Sequence, residues 1–272
     1  MLWVSGELPW HVTSSINSFL NHGHPVVLYG YDRPGNLPAD CRYADAASIL
    51  PQELIFVYNK GPTKGYLSGF SNWFRFALLY RCGGWWSDSD VICVKPFESG
   101  HSEFIFASEY QPHDPNYVNT NVIYVRAPGA PLMKACVEFC AERGSDVVHG
   151  QSGPDLLNRV VREYGYSRHI VANDVYNPVN FADCALFLES PMLLSAISVS
   201  RTLRGLRPIS LSSRTRGVHL YCSQLTALGA RMREPSDIPR GSYLDKLVRT
   251  TARGSSAGRR APDARIAALE LS

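Results

Sequence analysis

The 272-residue sequence predicts an α/β fold in which a mixed, mainly parallel sheet is flanked by helices. Three observations carry this expectation. The chain opens as strand, helix, strand. An amphipathic helix then stops at a glycine pair and gives way to an extended apolar run. Strands and helices go on alternating to about residue 164, and no internal repeat interrupts them. A chain of this length that is 45% hydrophobic and 19% charged buries a substantial core, most simply as one domain over residues 1–249 followed by a tail, 250–272.

Leu2 to Gly6 reads as the first strand, Trp10 to Asn21 as a helix closed by Gly23, and Pro25 to Tyr31 as the second strand. A right-handed crossover lays such strands parallel, and ligands of such sheets sit beyond the strands' carboxyl ends. That rule selects Ser5, Gly6, Tyr31 and Asp32 as candidates for the nucleoside side of a pocket. Ser-Gly after a strand and Tyr-Asp before Pro34 are equally ordinary turn chemistry.

The next helix has Phe70, Phe74 and Leu78 at four-residue steps with Trp73, Ala77 and Tyr80 beside them, one broad apolar stripe. Ser68 or Ser71 is the expected cap at its start, and Gly83-Gly84 ends it. Asn72 and Arg75, three apart, share a face of this helix. The aromatic and β-branched run Trp85 to Val94 reads as a single strand, along which Asp88 and Asp90 point the same way and Ser89 the opposite way. Two converging carboxylates repel, share a proton or bind a cation, and hard oxygen ligands favour Mg²⁺ or Mn²⁺. With 13 Asp in the chain, chance alone yields about 0.6 Asp-x-Asp triplets, so the triplet draws its meaning from its surroundings. Tandem Trp85-Trp86 reads as core packing more readily than as a sugar platform.

Glu103–Ser108 and Asn121–Val125 read as further strands, and Ala130–Arg143 and Asp155–Tyr164 as helices, the second capped near Ser152 or Asp155. Gly205–Gly217, rich in Ser and Arg, reads as a mobile covering loop, and Val218–Tyr221 as a short strand. The seven cysteines form no C-x-x-C pair, and His22, His24, His149, Cys136 and Cys140 lack zinc-ligand spacing, so reduced thiols in a cytosolic protein are expected. No run of eighteen apolar residues and no signal-like start occurs. The charge is uneven: residues 1–200 hold 13 Lys/Arg against 19 Asp/Glu, and residues 201–272 hold 14 against 5. The basic end suits either an anionic membrane surface, as a peripheral contact on its inner face, or plain solvation. Scattered arginines without interleaved aromatics exclude nucleic acid.

Taken together, the serine before Asn72, Arg75, Gly83-Gly84, the aromatic pair, Asp88-Ser89-Asp90 and Lys95-Pro96-Phe97 make a long pattern at fixed spacing. It resembles the DXD-containing family 32 glycosyltransferases, which include α-1,4-galactosyltransferase-like and initiating mannosyltransferase-like enzymes. The large clostridial glucosylating toxins share the helix and aspartate spacing. The resemblance runs from about Leu2 to Leu247 and is sharp only from Ser68 to Phe97. It implies a GT-A fold and a Mn²⁺- or Mg²⁺-dependent transfer of a hexosyl group. The implied donor is a nucleoside-diphosphate sugar, a UDP-hexose above all, used with retention of configuration. The implied acceptor is a glycan or lipid-linked saccharide in bacterial surface polysaccharide synthesis. It also implies that Asp88 and Asp90 bind the metal, that Arg75 contacts the donor sugar or its phosphate, and that His219 is a late metal or phosphate ligand. Asn72, Ser89, Asn121, Gly153 and Pro154 are implied to line the donor pocket.

Two departures stand out. Asn72 occupies a helix position where such proteins carry an acid, and Tyr221 and Cys222 follow His219 where tryptophan and asparagine are expected. They keep open two other readings: a catalytically silent sugar-nucleotide or glycan-binding protein, and a protein-modifying glycosyltransferase effector.

Overall fold

The computed structural model describes residues 1–204, 209, 212–227 and 232–252. Eight strands and seven α-helices appear among them. In chain order these are α1 (Trp10–Asn21), β1 (Val27–Gly30), β2 (Arg42–Asp45), α2 (Ser68–Cys82), β3 (Gly84–Ser87), β4 (Val91–Cys93), β5 (Phe104–Gln111) and β6 (Asp114–Val125). There follow α3 (Pro131–Arg143), α4 (Pro154–Glu163), β7 (Ile170–Val171), α5 (Pro191–Leu203), β8 (Gly217–His219), α6 (Cys222–Ala227) and α7 (Tyr243–Ala252).

The mixed α/β sheet flanked by helices is as expected, but its pairing is mainly antiparallel where a mainly parallel one was expected, because the long β5–β6 hairpin forms its centre. Parallel pairing marks the amino-terminal unit, β1 with β2, and the edge pair β5 with β7. Antiparallel pairing carries the centre, where the four-stranded order is β3-β6-β5-β7, and β4 pairs antiparallel with β8. The expected first strand contracts to a single parallel bridge from Leu2 to Tyr29, supported by Trp3 N–H to the Tyr29 carbonyl at 2.9 Å and Tyr29 N–H to Met1 at 3.0 Å.

α1 shows how a polar helix face is put to structural use. Ser15 Oγ donates to the Val91 carbonyl at 2.7 Å, and Ser18 Oγ accepts from Cys93 N–H at 2.8 Å. These two serines satisfy an edge of the three-residue β4 that no described strand covers. Val12, Ile16 and Phe19 from the same helix fill the core beneath.

α2 is buried on more than its predicted stripe. Phe70, Trp73, Phe74, Ala77 and Leu78 are joined by Phe76 and Leu79, because α3 packs on one side and the sheet on another. Neither expected serine caps it. Leu67 holds the cap position without a side-chain bond, and Ser68 Oγ has no partner. α4 likewise starts at Gly153, with Pro154 in its first turn and no side-chain cap.

Two boundaries change. The strand expected over Trp85–Val94 is cut by a turn at Asp88–Asp90, closed by Val91 N–H to the Asp88 carbonyl at 3.3 Å. β3 and β4 thus belong to different sheets. At the carboxyl end α7 continues through Ala252. Thr251 is buried there, and its carbonyl accepts from Asn21 Nδ2 at 2.8 Å. Residues 253–272, including the tail's remaining arginines, lie outside the described residues, as does much of the expected loop at 205–217. The described part of that loop is pinned: Ser212 Oγ and Arg214 both bond Asp174, at 2.7 and 2.8 Å.

All seven cysteines are free, and burial pushes Cys41 up to about 11 and Cys93 to about 12, which makes them inert thiols. No described helix is long and apolar enough to cross a membrane.

The glycine pair that ends α2 yields a graded expectation. Gly83 has φ +64°, and an added Cβ would stand 3.0 Å from the Val125 carbonyl oxygen; Gly84 has φ +83° with open space around it. Gly83→Ala should therefore cost about 1–3 kcal/mol and Gly84→Ala about 1 kcal/mol. Urea midpoints that rank the two in that order are the expected result.

Candidate functional site

The turn that breaks the predicted strand is also what brings the site together. β4 pairs with β8 in the register Val91–His219, so the residue after Asp90 lies opposite the histidine. The Asp90 carbonyl accepts from Leu220 N–H at 2.9 Å, and its Oδ2 accepts from Cys222 N–H at 3.1 Å. Its Oδ1 lies 3.2 Å from His219 Nε2. Asp88 is fixed from the other side, its N–H donating to the Asn121 carbonyl at 2.8 Å. Asp88, Asp90 and His219 each offer a ligand atom within 4.8 Å of the others.

Arg75 reaches this cluster from α2. Its Nη2 donates to Asp88 Oδ1 at 2.6 Å, with the arginine side chain 6% exposed and the aspartate 22%. Trp86 Nε1 donates to the same oxygen at 2.7 Å, and the guanidinium lies 5.1 Å from the Trp86 ring centroid. Trp86 is thus packed as the sequence suggests, and it also aims Asp88, a role that the tandem aromatic did not disclose. Both bonds fall on Oδ1, which leaves Oδ2 without a described partner.

Asn72 completes the arrangement. Its Oδ1 accepts from Arg75 Nη1, and its amide lies against Gly153, where an added Cβ would come within 2.4 Å of Nδ2. The missing acid on this helix face is answered by a neutral hydrogen bond, and the charge of Arg75 is balanced by Asp88 instead.

Behind the turn lies a buried polar network. Asn121 Nδ2 donates to Asn177 Oδ1 at 2.9 Å, and Asn177 Nδ2 donates to the Ser108 carbonyl at 2.9 Å. The Tyr221 hydroxyl stands 3.4 Å from Asn177 Oδ1, and Glu109 accepts from Asn119 Nδ2 at 2.7 Å. Tyr221 has φ +53°, a left-handed conformation that no other described non-glycine residue adopts. Its ring lies 4.0 Å from that of His219. Such backbone persists where the surroundings over-determine it.

Burial alone would raise the carboxyl of Asp90. The His219 imidazole, its hydrogen bond and the Cys222 N–H reverse that and hold it well below the usual carboxylate range. For His219 burial acts to lower the value, and the charge and hydrogen bond of Asp90, with Asp88 and Glu109 further off, raise it. Nδ1 of His219 is buried without a partner. Two carboxylates, one with an open oxygen, and an imidazole form a mixed oxygen and nitrogen set of the kind that can hold a divalent metal ion.

The remaining sequence candidates sit apart from this centre. Ser5 and Gly6 are exposed, with Gly6 in a turn closed by Trp3 Nε1 to its carbonyl at 3.2 Å. Tyr31 gives its hydroxyl to the Leu50 carbonyl at 2.8 Å and sets its ring beside Phe70 of α2, and Asp32 is exposed. Ser89 occupies the turn between the aspartates, half-buried, and Pro154 opens α4 beside Gly153. Asn121, Asn72 and Gly153 do join the centre. Asn177, Glu109 and the Cys222 N–H escaped sequence reasoning, since the first two lie far from the motif and the third is a backbone group.

No protein-family model matches this chain. Over 104 residues it is 27% identical to the alpha-1,4-N-acetylglucosaminyltransferase of Homo sapiens, an alignment that takes in 38% of this chain and 28% of that protein. Among solved structures it is similar to PaToxG Glycosyltransferase, at 14% identity and a TM-score of 0.43, with 92% of this chain and 85% of that one covered.

The contact between Asn72 and Gly153 is open to a double-mutant cycle. Gly153→Ala should cost about 1–3 kcal/mol by overpacking against the amide. In an Asn72→Ala background the added methyl has room, and the same change should cost less than about 1 kcal/mol, a coupling readable from denaturant unfolding.

Proposed function

We propose that this chain is a metal-dependent glycosyltransferase that moves a hexosyl group from a nucleoside-diphosphate sugar, a UDP-hexose in the first instance, to a glycan or lipid-linked saccharide acceptor. The observation that carries the reading is the convergence of Asp88, Asp90 and His219 beside the buried Arg75. The partial likeness to the human alpha-1,4-N-acetylglucosaminyltransferase supports the same reaction class.

In this reading Asp88, Asp90 and His219 hold Mn²⁺ or Mg²⁺, which when bound supplies Lewis-acid neutralisation of the departing diphosphate, a contribution on the order of several kcal/mol. Arg75 is the second positive charge at the site. Its guanidinium is immobilised between Asp88, Asn72 and the Trp86 ring, so it is preorganised to meet a phosphate oxygen. Asn121 and Asn177 fix the backbone from which Asp88 projects. Asn72 presents an amide where the resemblance implies an acid, and contributes orientation without charge. Retention of configuration rests on the family resemblance, and no nucleophile or base is assigned. The cell interior, with acceptor presented at the membrane's inner face, is the proposed setting.

A second reading has its own support. With Asn72 in place of an acid, the same pocket would serve a silent protein that binds sugar nucleotides without turning them over. Purified protein given Mn²⁺, a panel of UDP- and GDP-sugars and a saccharide acceptor separates the two. The enzyme reading expects release of nucleoside diphosphate that falls at least about 10²-fold in Asp88→Ala and in Asp90→Ala. Donor binding without release, or turnover indifferent to both substitutions, contradicts it.

A further inference from the structure

α5 is unlike the other helices of this protein. It buries only Leu194 fully, with Ile197 packed at the margin of the cluster formed by Cys184, Phe187 and Ile209. Its outer side is apolar. Met192 is 82% exposed, Val199 60% and Leu203 83%, and Ala196 is exposed among them. At about 100° per residue these four side chains fall within an arc of roughly 60°, directly opposite Leu194. Leu193, 42% exposed, widens the stripe near the helix start.

The helix is firmly built, so the stripe is a designed face and not a frayed end. Ser190 caps it by accepting Leu193 N–H at 3.2 Å, Pro191 opens it, and Ser198 Oγ ties it to the Ile209 carbonyl at 3.0 Å. Arg201 pairs with Asp183 at 2.8 Å.

We infer that α5 is a lipid-docking helix that lays Met192, Ala196, Val199 and Leu203 into the interface of an anionic bilayer. Charge and area both select this occupant. The helix itself contains no Asp or Glu, the exposed Arg204 follows its last turn, and the chain from residue 201 onward holds 14 Lys/Arg against 5 Asp/Glu, the reverse of the balance before it. An apolar stripe on a helix free of acids, set in the part of the sequence that carries the excess of Lys/Arg, is the combination that binds anionic lipid surfaces, where modest burial adds to electrostatic attraction. A second copy or another protein would need a much larger patch, since stable interfaces take roughly 20–30 residues a side. None of these residues belongs to the Asp88 centre, so the inference stands or falls independently of the transferase reading.

Sedimentation of the full chain with phosphatidylcholine vesicles, with and without one-third phosphatidylglycerol, tests it. Binding to the anionic vesicles is expected, and Val199→Glu/Leu203→Glu should lower the partition coefficient at least tenfold while leaving turnover on a water-soluble acceptor unchanged. Val199→Ser/Leu203→Ser serves if the charged pair fails to fold, judged by circular dichroism, with a smaller loss in the same direction. Undiminished binding by the variants would assign any attachment to the basic tail and overturn the role of α5. Equal binding to neutral vesicles would overturn the anionic surface. A dimer in solution that the substitutions split, without vesicle binding, would show that a second copy covers the stripe.

Discussion

The ion pair between Arg75 and Asp88 is the contact on which the candidate site depends. Both partners are largely removed from water, and a buried pair is tolerated only where further hydrogen bonds satisfy it. Trp86 Nε1 donates one to the aspartate and Asn72 Oδ1 accepts one from the guanidinium, the Trp86 ring adds a cation–π contact, and Arg75 Nε stays buried without a bond. Removing either charge would strand the other, a loss of about 3–5 kcal/mol for pairs of this kind. The arginine is therefore held in place before any ligand arrives. The pair ties α2, which carries the arginine, to the turn after β3, which carries the aspartate, and Trp86 of β3 touches both.

The second constraint is the turn. A continuous strand would have placed Asp88 and Asp90 on one face of one sheet. Breaking the strand instead sends β4 to β8, and that switch delivers His219 and the Cys222 N–H to Asp90. The two carboxylates thereby acquire different surroundings. Asp88 answers to a permanent cation and an indole, Asp90 to a titratable imidazole and a backbone donor. Tyr221, in its left-handed conformation, lets the chain turn from β8 into α6 with its ring against His219.

Much of the fold was legible in the sequence because strong periodicity and glycine punctuation survive tertiary packing. α1, α2, α3 and α4 lie within a residue or so of their expected bounds for that reason. The cap residues of α2 and α4 were misjudged, because a buried helix start can lean on packing and on Pro154 in place of a serine. The break at Asp88–Asp90 was invisible to pattern, since an aromatic and β-branched run reads as one strand whichever sheet each half joins. At the candidate site, Arg75, Asp88 and Asp90 are the residues that the short-range motif singles out, and the fold brings them together. Asn177 and Glu109 reach it only through long-range contacts, from positions whose local sequence is unremarkable, and Asn72 meets Gly153 only because α4, packed on β6 and α3, starts beside it.

The central claim is that the Asp88, Asp90 and His219 cluster holds a divalent cation together with a nucleoside diphosphate. Isothermal calorimetry of Mn²⁺ into protein saturated with UDP, for the wild-type chain and for Asp90→Asn, addresses it most directly. The account predicts uptake of one Mn²⁺ per chain and its loss in the variant, with circular dichroism unchanged. Absence of uptake by the wild-type protein, or equal uptake by the variant, would contradict it.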